Sequence, residues 1–72
     1  MSVFSDRISE ARRRKGVSRQ EAANSLGISN QTVSRYENGT QEPSFETFIK
    51  LAIYYGVSTD WLLNRSEKDE NT

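Results

Sequence analysis

Glycine and serine punctuation constrains this chain more than any other feature. Glycines at 16, 27, 39 and 56, together with Pro43, divide 72 residues into five short runs. Each run after the first opens at a serine: Ser18, Ser29, Ser44 and Ser58. Glycine accepts the left-handed backbone that closes a helix, and serine caps the orphan N–H groups that open one. A chain cut this way folds as a cluster of short helices, and its length allows a single small domain.

The apolar residues agree with that reading. In a first helix over 3–15, Phe4, Ile8 and Ala11 share one face, and Gly16 stops the helix. Ser18-Arg19-Gln20-Glu21 is a capping box that opens a second helix, running through Ala22 and Ala23 to Ser25 or Leu26. The paired alanines admit a neighbouring helix closely, and Gly27 makes the following tight turn. A third helix spans 29–37, with only Ile28, Val33 and Tyr36 facing inward; Asn38 and Gly39 close it and open a loop through Pro43. In the fourth, Phe45, Phe48, Ile49, Ala52 and Tyr55 form an amphipathic stripe, and Gly56 ends it. A fifth, over 58–64, has Asp60 in its first turn, and Trp61, Leu62 and Leu63 supply its apolar face. Residues 65–72 are polar and charged, which predicts a disordered tail behind an all-α domain over 1–64.

Composition removes several function classes. The sequence has no cysteine and no histidine, so the usual zinc ligands, the thiol nucleophile and the usual neutral-pH base are absent. The acids are scattered, and so small a domain has little room for a water-excluded pocket, so an enzyme is the least favoured class. No metal and no cofactor is expected. No apolar run approaches the roughly 18 residues of a membrane span, and no signal-peptide core follows Met1, so a cytoplasmic protein is expected. Net charge is zero but polarised. Residues 1–36 hold seven basic side chains against three acidic, and 37–72 reverse that ratio. Local field rather than net charge decides where a phosphate backbone can lie.

The informative unit is 18–38: two short helices joined by a glycine turn, the second of them polar on its outward face. Asn30, Gln31, Thr32, Ser34 and Arg35 offer the paired donors and acceptors that base edges in a major groove require, and they precede the helix's first carboxylate, Glu37. Each feature has a plainer explanation. A polar face is usually a solvated face. Arg12-Arg13-Arg14-Lys15 complements the dipole of a helix C-terminus. Phe45, Phe48 and Tyr55 have the spacing of core residues, and Trp61 divides evenly between core and interface.

The run Arg12…Val17-Ser18-Arg19-Gln20-Glu21-Ala22-Ala23…Leu26-Gly27-Ile28-Ser29…Val33-Ser34-Arg35-Tyr36-Glu37-Asn38-Gly39…Pro43 resembles the Cro/repressor family of helix-turn-helix domains, the XRE-like group. The ending Tyr55-Gly56-Val57-Ser58-Thr59-Asp60-Trp61-Leu62-Leu63 is similar to that family's closing helix, so the likeness covers about residues 4–64. It implies a compact five-helix, lambda-repressor-like fold. It implies a structural ion pair between Arg12 and Glu37, and base reading by Asn30, Gln31 and Thr32. Ser34 and Arg35 would read bases or phosphate. Ser18, Arg19, Ser29, Asn38 and Thr40 would lie along the DNA. The chain departs from the family pattern at Arg19, where glutamine is usual, at Ala22, where leucine is common, and at Gln41 and Glu42, where many relatives are basic.

Three functions follow from the resemblance. The first is a small Cro-like regulator acting on operator DNA through residues 29–37, alone or as a weak homodimer. The second is an antirepressor, binding a phage repressor protein through Glu42, Glu46, Trp61, Leu62 and Leu63; the acidic second half favours it. The third, an antitoxin, ranks lower because the tail lacks apolar anchors.

Overall fold

The computed structural model describes residues 3–63. Within them lie five helices: α1 (Val3–Lys15), α2 (Arg19–Leu26), α3 (Asn30–Asn38), α4 (Phe45–Tyr55) and α5 (Thr59–Leu62). The tail expected over 65–72, with Asn64 of the fifth helix, lies outside the described residues.

Three junctions repeat one device. At 16–18, 27–29 and 56–58 the order is glycine, aliphatic residue, serine. The aliphatic N–H reaches back five positions to a helix carbonyl: Val17 to Arg12 O at 3.4 Å, Ile28 to Ala23 O and Val57 to Ala52 O at 3.0 Å each. This is the Schellman closure, which also directs the aliphatic side chain inward. Val17, Ile28 and Val57 accordingly pack against the core. The serine then caps the next helix: Ser18, Ser29 and Ser58 accept from the N–H groups of Glu21, Thr32 and Trp61. Gly27 has φ 72° and ψ 31°, and a Cβ there would meet nothing within 4 Å. The backbone angle, not lack of space, selects glycine.

One core cluster joins all five helices: Ile8, Ala11, Ala22, Tyr36, Leu51, Ala52, Tyr55 and Leu62. Ala22 and Ala23 are fully buried. Their lack of side-chain bulk lets α2 seat closely among its neighbours, and α2 and α3 form the most extensive helix contact. Phe4 and Phe48 tie α1 to α4, with ring centroids 5.7 Å apart.

The structure corrects the sequence reading at four places. Phe45, expected in the α4 stripe, is 80% exposed. The buried residues of α4 are Leu51, Ala52 and Tyr55, with Phe48 half-buried, whereas Phe45 occupies the first helical position, outside the packed turns. Leu62, assigned to a protein interface, is fully buried and belongs to the core. Leu63, expected to pack with it, follows the last turn of α5 and is 51% exposed. Finally, α3 buries Glu37 besides its apolar residues.

Candidate nucleic-acid interface

The turn over Gly27, Ile28 and Ser29 sets α3 against α2, and capping fixes the first turn of α3. Ser29 Oγ accepts the Thr32 N–H at 3.0 Å, and the two hydroxyls lie 2.8 Å apart. Asn30 Nδ2 donates to Gln20 Oε1 at 3.1 Å, and Gln20 Nε2 donates to Asn24 Oδ1 at 2.9 Å. A line of exposed amides therefore runs from α2 onto the start of α3. Gln31 and Arg35 are one helical turn apart and exposed, and no side-chain bond among the described residues holds either. Thr32 and Ser34 are half-buried beside them. Asn38 and Thr40 are exposed at the far end, where the Thr40 N–H donates to Arg35 O at 3.0 Å.

Behind this surface lies an ionic cluster. Arg12 Nε donates to Glu37 Oε2 at 2.8 Å, Arg12 Nη2 to Glu37 Oε1 at 3.3 Å, and Arg12 Nη1 to Val17 O at 3.0 Å. The guanidinium thus joins α1, the loop after it and the end of α3. The hydrogen bond to Glu37 raises the Arg12 pKa above its ordinary value, against a smaller opposing effect of burial. Arg19 Nε also reaches Glu37 Oε1, at 3.1 Å. The Glu37 side chain is 2% exposed, while that of Arg19 is 45% exposed.

Two contacts, one in this cluster and one in the line of amides, were not legible in the sequence. The sequence marks Arg19 only as a DNA ligand and Gln20 only as part of a capping box. Their partners lie 18 and ten positions away on another helix. The one available signal was Glu37 itself, a carboxylate closing a helix whose earlier residues carry none.

Much of the α1 charge is engaged elsewhere. Arg7 and Arg14 lie over the Trp61 ring, at 4.6 and 5.1 Å from its centroid, and Lys15 lies 4.8 Å from that of Tyr54. Arg14 also pairs with Glu10. Trp61 is consequently half-buried beneath two guanidiniums. Glu42 and Glu46 are exposed, and Glu42 borders an open groove of about 260 Å³ lined by Phe4, Pro43, Phe45, Phe48 and Leu63.

Comparison with known proteins places these features in context. The helix-turn-helix family model HTH_3 matches residues 8–62. The HTH-type transcriptional regulator ImmR of Bacillus subtilis is 43% identical over 61 residues, 85% of this chain and 48% of that protein. The SPbeta prophage-derived regulator YonR of the same organism is 44% identical over 61 residues, 85% of this chain and 56% of YonR. The cryptic phage CTXphi transcriptional repressor RstR of Vibrio cholerae is 40% identical over 65 residues, 90% of this chain and 59% of RstR. The chain thus spans about half the length of the curated relatives it matches. Among solved structures, the P22 c2 repressor in complex with a synthetic operator superposes with a TM-score of 0.82 at 25% identity, covering 90% of this chain and 98% of that one.

Proposed function

Because this chain belongs to the HTH_3 helix-turn-helix family, we propose that it is a phage-type transcriptional regulator whose α3 enters the major groove of operator DNA. The observation that carries the reading is the outward face of α3. Gln31 and Arg35 are exposed there with no side-chain partner among the described residues, on a helix fixed at both ends by Ser29 and Glu37. Glutamine pairs with adenine through two hydrogen bonds, and arginine pairs with guanine likewise. Asn30, Thr32 and Ser34 flank them. Ser18, Arg19, Ser29, Asn38 and Thr40 border the face as contacts to the DNA backbone. The P22 c2 repressor, with the same fold, is seen bound to an operator. Such a protein works in the bacterial cytoplasm and is not an enzyme.

The test is a salt titration of binding to the DNA beside its own gene. Gln31→Ala and Arg35→Ala should each cost about 1–3 kcal/mol at the specific site and relax base preference. Unchanged affinity in both variants overturns the reading.

A second reading rests on a separate observation. Exposed Phe45 and Leu63 flank the groove bordered by Glu42, with Glu46 nearby in sequence on α4. An apolar seat with a carboxylate at its edge suits a protein surface with a basic residue beside an apolar anchor, as in an antirepressor that binds a phage repressor, or a weak homodimer. Trp61 contributes little to such a surface, because Arg7 and Arg14 cover it. Adding the neighbouring repressor separates the two: a shift that appears only with both proteins supports the modulator.

A further inference from the structure

We propose that Glu37, besides pairing with Arg12, is the positioning residue that aims Arg19 at a DNA phosphate beside the opening of α2. The inference rests on the DNA-binding reading above and adds to it a residue that acts through another.

The geometry at the opening of α2 is unusual for a surface arginine. Arg19 is the first residue of the helix. Glu21 N–H is taken by Ser18 Oγ, Ser18 N–H by Glu21 Oε1, and Ala22 N–H by Ser18 O. The N–H groups of Arg19 and Gln20 lie beyond the reach of the helical ladder and remain directed out of its end. The Arg19 guanidinium is attached beside them, and its Nε is held by Glu37. Among the described residues its two Nη groups have no protein acceptor. A guanidinium whose Nη groups are unengaged retains the donors that grip phosphate oxygens.

Three physical consequences follow from the shared carboxylate. Pinning Nε settles most of the side-chain rotors before a ligand arrives, so less entropy is lost on binding. One carboxylate between two guanidiniums leaves a surplus positive charge, so Arg19 is oriented without being neutralised. Glu37, 2% exposed and already paired with Arg12, has its negative charge offset before a phosphate approaches. A lysine at 19 would keep the charge but has no Nε to be held. The glutamine usual in the family at this position would keep a hydrogen-bond donor but no charge.

The experiment titrates salt against binding to the promoter duplex and to a random duplex of equal length. Arg19→Gln should lose about tenfold on both duplexes and make the salt slope shallower by about one, the signature of one lost phosphate contact. Arg19→Lys should keep the slope yet lose several-fold in affinity. Glu37→Gln should weaken binding in the Arg19 background and have little further effect in the Arg19→Gln background. It should also remove the slowly exchanging Arg19 Nε–H signal from the NMR spectrum of the free protein. If Glu37→Gln fails to fold, the comparison of arginine with lysine at 19 still decides. Wild-type affinity in Arg19→Lys, or an equal Glu37→Gln loss in both backgrounds, overturns the inference while the DNA reading stands. A wild-type chain that binds neither duplex at low salt overturns both, and a persistent Nε–H signal then marks the pair as purely structural.

Discussion

The two sides of α1 use arginine in opposite ways. Towards α3, Arg12 meets an almost wholly buried carboxylate through two hydrogen bonds, and donates a third to Val17 O. Towards α5, Arg7 and Arg14 lie over the face of Trp61. The first arrangement removes charge from water and depends on its partner. The second leaves the guanidiniums near solvent and covers apolar surface with their stems. The difference teaches that a basic run in a sequence does not measure charge available to DNA. In this chain part of it locks the helix-turn-helix, and part of it roofs an aromatic residue.

The comparison breaks most sharply at Glu37. Replacing it with alanine leaves Arg12, whose side chain is 15% exposed, without its partner. That should cost about 3–5 kcal/mol in urea unfolding. A double variant, Arg12→Met with Glu37→Leu, should recover much of the loss, because well-packed apolar residues replace a buried pair at little cost. A loss below about 1 kcal/mol for Glu37→Ala would place the pair with exposed surface ion pairs.

On the other side of α1, Trp61→Ala should cost about 2–3 kcal/mol, less than for a fully buried tryptophan because the ring is only half-buried. Thermal unfolding monitored by circular dichroism reads this directly.

Tyr55 sharpens the comparison from beneath the ionic cluster. Burial pushes its hydroxyl up to about 12, with Glu37 and Tyr54 adding to the rise and Arg12 opposing it. Below pH 10 both folded and unfolded states keep the proton. Between about pH 10 and 12 the unfolded state releases it first, so stability falls as pH rises through that window. The loss should be roughly 1–2 kcal/mol, and Tyr55→Phe should flatten the profile. Tyr36 is raised by burial in the same direction and adds to the slope.

The smallest expected effect belongs to Arg14→Met, which keeps the apolar stem over Trp61 and removes the charge. It should cost about 0.5–1 kcal/mol. A loss as large as that of Glu37→Ala would erase the distinction between the two sides of α1.

Much of the fold was legible because its signals are local. Capping boxes, left-handed glycines and apolar spacing act within one or two helical turns, and each can be read from a few consecutive residues. Thus α1 falls on residues 3–15 as read, and the serine caps stand where the helices open. The candidate base-facing residues Gln31 and Arg35 were legible for the same reason, as polar positions one turn apart on a helix with few apolar ones.

What the tertiary structure decided depends on partners distant in sequence. Periodicity alone could not say whether Phe45 or Leu51 belongs to the buried side of α4, since each lies three positions from Phe48. Packing into the shared core selected Leu51. Nor could the sequence choose between adjacent Leu62 and Leu63, one fully buried and the other half exposed where α5 ends. Arg19 and Glu37 are each ordinary polar residues at the ends of two helices. Their contact exists because the turn at Gly27 and the close seat made by Ala22 and Ala23 bring the start of α2 to the end of α3. Local sequence sets where each helix begins and ends, because caps and turns are short-range. Which side chains meet is set only when the helices pack, because that contact depends on every element at once.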